Sequence, residues 1–253
     1  MSTDEATSPT IVVTRNGPYV VTGPVPMAYQ VIATDDDGAS WTWKQGDAVP
    51  AGRKFSLCRC GRSATKPFCD DTHLTIDFDG TETASRAPHA EQAETTDGPT
   101  MSLEDAAALC AFARFCDGHG RAWNLVEQTA TDEARQITAH EATHCPGGRL
   151  VATDTTTGTT LEPVFEPAIG IVEDPREGVS GGLWLRGGIS VTSEDDMPYP
   201  VRNRVVLCRC GASSNKPFCD GSHANADVMF SDDVLATVNA SSDGTDSVTT
   251  PTV

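Results

Sequence analysis

The chain has 253 residues, of which 36 are acidic and 18 basic, so its formal charge is −18. This balance argues against nucleic acid as a partner, because phosphates need an excess of Lys and Arg. It argues equally against docking on an anionic membrane surface. Hydrophobic residues make up 38% of the chain and aromatic residues 6%, which favours several small cores over one large core.

The start of the chain and its cysteine content bear on the compartment. The first nine residues are polar and lack the basic and apolar regions of a signal peptide. No apolar run reaches the roughly 18 residues that a transmembrane helix needs. We therefore expect a soluble, cytoplasmic protein. Nine cysteines in a reducing compartment indicate metal or redox chemistry rather than disulfides.

The predicted elements follow the chain in five parts. Short strand-like runs at 11–14, 19–22 and 23–26 open a first β-rich module, 8–80. Residues 81–101 are rich in Thr, Ala, Glu and Ser, without apolar periodicity, and are predicted to be a linker.

A helical middle segment is predicted over 102–165. Ser102 is the expected cap of a helix over 103–116. A second helix is expected over 132–144, ended by Pro146-Gly147-Gly148. The second β-rich module is 166–230, with strand-like runs at 183–191 and 201–207. Residues 231–253 contain four Asp and no Lys or Arg, and are predicted to be a disordered acidic tail.

An internal repeat relates the two β-rich modules. Residues 57–73 read LCRCGRSATKPFCDDTH and residues 207–223 read LCRCGASSNKPFCDGSH, with twelve of seventeen positions identical. Each copy offers four candidate metal ligands in the spacing C-x-C-x8-C-x3-H: Cys58, Cys60, Cys69 and His73 in the first, and Cys208, Cys210, Cys219 and His223 in the second. Thiolate and imidazole ligands suit zinc or iron–sulfur centres. The repeat therefore predicts two equivalent metal centres.

The spacing within each copy predicts how the ligands are presented. A C-x-C pair can hold one metal ion from a tight loop. Cys69 and His73 are four residues apart, so on a helix they would share a face. Pro67 and Pro217 lie two residues before the third cysteine, where proline favours a first helical turn. We therefore expect a helix N-terminus to point its free N–H groups at each centre.

Both copies resemble the CDGSH iron–sulfur family, whose pattern is C-x-C-x2-[ST]-x3-P-x-C-D-G-[SAT]-H. The second copy fits at every position, and the first departs once, with Asp71 in place of the motif glycine. The resemblance implies that each set of three cysteines and one histidine binds one [2Fe–2S] cluster, with the histidine near solvent. Around each cluster, hydroxyl donors and a nearby positive charge are expected from Ser63, Lys66, Ser213 and Lys216.

The middle segment carries three further cysteines, Cys110, Cys116 and Cys145. Their C-x5-C spacing and the later Cys-Pro-Gly-Gly are similar to divergent single-cluster ferredoxin-like domains, which implies one further iron–sulfur cluster. His119 and His144 are candidates for its fourth ligand. The alternative is that the three cysteines are buried structural thiols, since a free cysteine packs like a small apolar residue.

We thus expect an α+β protein in which two small β-rich modules flank a helical segment and pack together around a pseudo-twofold axis. It would carry two [2Fe–2S] clusters and work with a redox partner or an apo-acceptor protein in electron transfer, redox sensing or cluster transfer. No nucleotide-binding or hydrolase motif occurs in the chain, so no enzyme activity is expected. The alternatives are a zinc-stabilised interaction module and an electron-delivering subunit of an oxidoreductase.

The acidic composition generates a prediction about salt. Asp is abundant and only four lysines occur, so surface carboxylates repel one another unless ions screen them. We expect the melting temperature to rise as KCl increases from dilute to molar concentrations. Thermal melts followed by circular dichroism check this. We interpret this composition as an adaptation to high salt, and a melting temperature that does not change with salt would contradict that interpretation.

Overall fold

The computed structural model describes residues 8–232 and Leu235. Within these residues the strands are β1 (Thr10–Val13), β2 (Tyr19–Thr22), β3 (Met27–Thr34), β4 (Ser40–Ala48), β5 (Lys54–Leu57), β6 (Glu94–Asp97), β7 (Met101–Asp105), β8 (Leu150–Asp154), β9 (Thr159–Leu161), β10 (Ala168–Asp174), β11 (Val179–Arg186), β12 (Ser190–Thr192) and β13 (Arg204–Leu207). The helices are α1 (His89–Gln92), α2 (Ala122–Val126) and α3 (Asp132–His144). The predicted α+β class is confirmed.

Each β-rich module contributes at least one strand to the sheet of the other module. The first sheet has the order β12-β1-β2-β5, and the second has the order β13-β11-β10-β3-β4. β1 pairs in parallel with β12 of the second module, and β3 of the first module pairs in parallel with β10. If β4 is set aside, the two sheets have the same composition: a hairpin, the strand before the cysteine loop, and one strand from the other module. This correspondence is the topology of a pseudo-twofold pair.

The strand exchange produces one shared core. The buried face of the first sheet includes Ile11, Tyr19 and Leu57, and it packs against Ile171 and Leu183 of the second. The central strands β10 and β11 are buried on both faces, because their opposite face carries a second cluster with Phe115 and Trp43. Burial of both faces explains why β11 reads as a nearly continuous small and apolar run.

The middle segment contains a sheet that the sequence analysis did not predict. β6, β7, β8 and β9 form an antiparallel sheet in that order, and α2 and α3 cover it over a core of their own. The predicted helix over 103–116 is wrong. Those residues begin in β7 and continue through two short 3₁₀ turns, Ala107–Leu109 and Phe115–Asp117. Pairing of β7 with β6 and β8 overrides the local helical composition.

The second predicted helix is confirmed as α3. Its N-cap is Thr131, whose side chain accepts a hydrogen bond from the Ala134 N–H at 3.3 Å. The helix ends at His144, and its C-cap Cys145 is followed directly by Pro146-Gly147-Gly148. Gly148 adopts a φ of +57°, a conformation in which glycine is the least strained residue. Here the local capping chemistry was sufficient to define an element.

Arg204 attaches the middle segment to the second module. This buried side chain extends from β13 and donates to the carbonyl oxygens of Ala142, Thr143 and Cys145 at 2.7–3.0 Å. Those carbonyls lie at the C-terminal end of α3, where a positive charge also complements the helix dipole. A salt bridge with Glu162 completes the contact.

The predicted linker, 81–101, contains α1 and β6 and ends where β7 begins. Its first part follows the second module: Thr83 and Ala84 donate backbone N–H groups to the Lys216 carbonyl at 2.8 and 2.9 Å. The predicted tail, 231–253, lies almost entirely outside the described residues. No helix in the described part of the chain is both long enough and apolar enough to cross a bilayer.

Candidate metal centres

Strand pairing brings the third cysteine of each motif back to the first two. In the first module, the Cys58 N–H donates to the Pro67 carbonyl at 2.8 Å, and the Cys69 N–H donates to the Ser56 carbonyl at 2.9 Å. The equivalent bonds in the second module run from Cys208 to Pro217 and from Cys219 to Val206, both at 2.8 Å. Each loop is thus an irregular continuation of β5 or β13.

The expected helix at Pro67 and Pro217 is wrong. Only a single 3₁₀ turn follows each third cysteine, Thr72–Leu74 in the first module and Ser222–Ala224 in the second. The motif aspartate takes the organising role: Asp70 accepts hydrogen bonds from the backbone of Ala64 at 2.8 Å and of Thr72 at 3.1 Å. Hydrogen bonds from Thr72 and Ala64 lower the pKa of Asp70 below its usual range. This carboxylate ties the two halves of the loop together.

The four candidate ligands of each motif are arranged as two close pairs. The Sγ atoms of Cys58 and Cys60 are 3.8 Å apart, and those of Cys208 and Cys210 are 3.7 Å apart. Two sulfur ligands of one tetrahedral metal ion lie about 3.8 Å apart when each bond is about 2.3 Å long. The Cys–His pairs are equally close, with 3.4 Å between Sγ and the histidine Nδ1 in both modules. Each pair therefore has the spacing of two ligands on one metal ion.

The two pairs of a motif do not converge on a single ion. Among the described residues, only Cys69, Asp71 and His73 bring three candidate ligand atoms within 4.8 Å of one another. Four ligands of one zinc ion would all lie within that distance. The pairs are nevertheless neighbours, since the Cys69 N–H donates to the Ser56 carbonyl and the Cys58 N–H to the Pro67 carbonyl. Burial raises the pKa of Cys69, and the nearby Cys58 adds to the increase. The donor set therefore fits a centre with two metal ions better than a mononuclear site.

Backbone groups favour the thiolate form of the first cysteine. The pKa of Cys58 is lowered to about 6, first by a hydrogen bond from Cys60 and then by the N–H groups of Ser63 and Gly61. Burial acts in the opposite direction but is outweighed. Cys208 has the same surroundings, and its pKa is likewise lowered to about 6, first by Cys210 and then by backbone donors. Metal binding requires a deprotonated thiol. Each loop is thus prepared to lose its first proton near neutral pH.

The serines and lysines of the motifs brace the loops. The Ser63 hydroxyl donates to the Phe68 carbonyl at 2.7 Å, and Lys66 Nζ donates to the Ser63 carbonyl at 2.8 Å. Ser213 and Lys216 make the same two contacts in the second module, each at 2.7 Å. These bonds hold the loop between the C-x-C pair and the third cysteine.

The arginine inside each C-R-C was not among the predicted site residues. Arg59 is buried and donates to the carbonyl oxygens of Thr14, at 3.2 Å, and Gly80. Arg209 is also buried; it pairs with Glu173 and with Asp232, both at 2.8 Å. Each arginine fastens the segment that follows its motif to the hairpin that precedes it. The identical triplets in the two copies were the available signal.

The two sites differ in their cover. His73 and Cys69 are partly exposed, whereas His223 and Cys219 are each only 3% exposed. Phe112 of the middle segment lies over the second site, with its ring edge-on to His223 at 6.4 Å between centroids. Burial lowers the pKa of His223 to about 4, which keeps the imidazole neutral and able to bind a metal.

The three middle cysteines share one neighbourhood. Cys110 and Cys116 lie at the two 3₁₀ turns, and Cys145 ends α3. The turn after Cys145 packs on the chain before Cys110, since a Cβ on Gly147 would come within 2.3 Å of the Leu109 carbonyl oxygen. Burial raises the pKa of Cys116 to about 12, and the Cys145 and Cys110 thiols add to the increase.

The candidate histidines of the middle segment are engaged elsewhere. His119 Nε2 lies 2.6 Å from the Asp35 carboxylate. His144 Nδ1 donates to the His140 carbonyl at 2.8 Å, and its ring stacks on His140 with 3.8 Å between centroids. Both rings thus have hydrogen-bond partners other than the three cysteines. The fourth ligand of a third centre therefore stays unassigned.

This geometry defines a duplicated cysteine–histidine protein with two donor pairs in each half. The family model described as "Iron-binding zinc finger CDGSH type" matches residues 16–74 and 180–224. The chain carries two modules of this CDGSH family, which implies iron–sulfur binding. No curated protein and no solved structure matches the chain.

The departure at Asp71 generates a prediction. Asp71 has a φ of +65° and Gly221, at the equivalent position, has a φ of +87°. A Cβ on Gly221 would also lie 3.2 Å from the Cβ of Phe112. Gly221→Asp should therefore destabilise the protein by about 1–3 kcal/mol, because the added side chain would crowd Phe112 at a buried site. The reciprocal Asp71→Gly should change stability little, because Asp tolerates this conformation and is exposed.

Urea unfolding of the metal-loaded protein, with iron content measured in parallel, compares the two variants. Gly221→Asn serves as the control for the added charge, since asparagine tolerates a positive φ. Equal losses of stability in Gly221→Asp and Asp71→Gly would contradict the assignment of crowding to the second site alone.

Proposed function

We propose that each module binds one [2Fe–2S] cluster and that the chain works as an electron or cluster carrier. One metal ion of each cluster would be held by Cys58 and Cys60, or by Cys208 and Cys210. The second ion would be held by Cys69 and His73, or by Cys219 and His223. The observation that carries the proposal is the division of each motif into two donor pairs that do not converge on one ion.

When bound, such a cluster supplies one-electron redox chemistry. The surrounding residues would tune it in two ways. Backbone N–H groups of Gly61 and Ser63 point at the first sulfur, as their effect on the pKa of Cys58 indicates, and would stabilise negative charge there. A neutral imidazole in place of a fourth thiolate removes one negative charge, which favours the reduced state.

The chain is proposed to act with a protein partner rather than as an enzyme. The side chains around each site hold loops in place, as the bonds of Asp70, Ser63 and Lys66 illustrate. The partner would be a redox protein or an apoprotein that receives a cluster. The rival functions are a zinc-stabilised interaction module and an electron-delivering subunit of an oxidoreductase.

The middle cysteines are proposed to hold a third iron–sulfur centre. Cys110, Cys116 and Cys145 come from three separate turns. Burial raises the pKa of Cys116, and both Cys145 and Cys110 are near enough to add to the increase. Asp105 and, to a smaller extent, Cys110 raise the pKa of Arg149, whose positive charge would offset the negative charge of thiolates. Arg149 is itself held by Asp105 at 2.6 and 2.7 Å, so its position is fixed before a metal binds.

Metal analysis tests the proposal. Protein purified without oxygen from iron-replete cells should contain about four iron and four sulfide per chain from the two modules, because each donor set suits a two-iron cluster. A third centre would raise iron above four. Stoichiometric zinc with iron near zero would overturn the proposal in favour of the zinc module.

Matched cysteine variants assign the iron to sites. Cys58→Ser with Cys60→Ser, and separately Cys208→Ser with Cys210→Ser, should each remove about two iron per chain and leave the other site loaded. Changing Cys110, Cys116 and Cys145 together to Ser should remove only the iron in excess of four. If the triple variant keeps all of its iron, the three residues are structural thiols.

A further inference from the structure

The two sites differ on the side of the histidine ligand: His73 of the first module is partly exposed, whereas His223 of the second module is covered by Phe112. In the second module, the stretch around Phe112 occupies this face: the Phe112 Cβ lies 3.2 Å from a Cβ built on Gly221. From the same stretch, Arg114 forms a salt bridge with Asp174, whose side chain is 3% exposed. The chain itself therefore shows what fits such a face, namely an apolar ring beside a cation.

The equivalent face of the first module presents apolar side chains to solvent. Leu74 and Ile76 follow directly after His73 and are 75% and 38% exposed. Their counterparts in the repeat, 150 residues later, are Ala224 and Ala226. At these two positions, large side chains thus occur only in the copy whose histidine is open to solvent. Exposed apolar residues that surround an accessible functional group are typical of protein–protein contact sites.

The same stretch is acidic. Residues 70–79 contain four aspartates and no Lys or Arg, whereas residues 220–229 contain two aspartates. Asp70 uses its carboxylate to tie the loop. The pKa of Asp79 is lowered first by its hydrogen bonds with Thr81 and further by nearby positive charges of this chain. Asp77 is exposed and lies between Ile76 and Phe78, where it can meet a positive charge on a partner.

We propose that residues 70–79 are the docking surface for a redox or acceptor protein that presents an apolar side chain within a basic rim. The proposal rests on the proposed function. It makes the first site the place of exchange with other proteins and the second site an enclosed one. Leu74 and Ile76 supply the apolar contact, and Asp77 supplies the complementary charge.

Ferric cytochrome c is a suitable probe because it is a basic one-electron acceptor with an exposed apolar haem edge. Its dissociation constant for the oxidised, cluster-loaded protein is measured by calorimetry, so no electron transfer is involved. Leu74→Ala with Ile76→Ala should weaken binding about fivefold or more, the scale of a central interface contact. The control is Met229→Ala, which removes an exposed apolar side chain, 48% exposed, from the second module.

Salt separates the apolar contribution from the charged one. Asp77→Asn should weaken binding at about 0.1 M salt and have no effect at about 2 M, where charges are screened. The weaker binding of the Leu74→Ala, Ile76→Ala variant should persist at both salt concentrations. Asp227→Asn, at the equivalent position of the second module, is the control and should change nothing. Equal effects in the two modules, or none in the first, would overturn the proposal.

A second measurement determines the rate of electron transfer to cytochrome c. Stopped-flow mixing of the dithionite-reduced protein with ferric cytochrome c moves one electron from a cluster to the haem iron. This rate should fall in the Leu74 and Ile76 variant and stay unchanged in Met229→Ala. If sedimentation instead shows that Leu74 and Ile76 mediate dimers of this chain, the occupant is a second copy and the proposal is wrong. If the Leu74→Ala, Ile76→Ala variant keeps its full iron content and binds cytochrome c as the wild type does, only the docking surface is rejected. If the wild-type protein contains no iron, the proposed function itself is rejected.

Discussion

Two glycines allow the cysteine loops of the two modules to touch. A Cβ on Gly61 would lie 2.5 Å from the Cys210 carbonyl oxygen, and a Cβ on Gly211 would lie 2.7 Å from that of Cys60. Both glycines have a positive φ, +75° and +82°, which other residues adopt only with strain. This reciprocal contact permits the strand exchange between the modules, and the exchange in turn creates the shared core. A larger residue at either position would push the two ligand loops apart.

Much of the metal-site chemistry could be predicted from the sequence. The repeated C-x-C-x8-C-x3-H spacing identified the donor pairs. Most strand-like runs before the motifs correspond to β1, β2 and β11 to β13, but the run at 23–26 lies between β2 and β3. α3 was predictable because its signals are local: a cap at Thr131 and a Cys-Pro-Gly-Gly end. The prediction over 103–116 failed because β7 depends on pairing with β8, almost fifty residues away, and local composition does not report such pairing.

The difference in exposure between the two sites could not be predicted from the sequence either. The motifs are nearly identical, yet Phe112 shields His223 and no aromatic ring among the described residues plays that part for His73. The cover comes from a segment that local propensity placed on a helix. Arg114, two residues after Phe112, pairs with Asp174 of β10, so a residue in neither motif helps to hold the covering segment over the second site.

The exchanged strands have a consequence for how the molecule assembles. β1 and β10 each have a neighbour from the other half of the chain, so neither half can complete its sheet alone. In two separate polypeptides, such an arrangement would form only as fast as the copies met, and its stability would depend on concentration. Because one chain carries both halves, the encounter is intramolecular. Because both halves lie on a single polypeptide, their assembly does not depend on protein concentration. The duplication also allows the sequence of one half to change without the same change in the other.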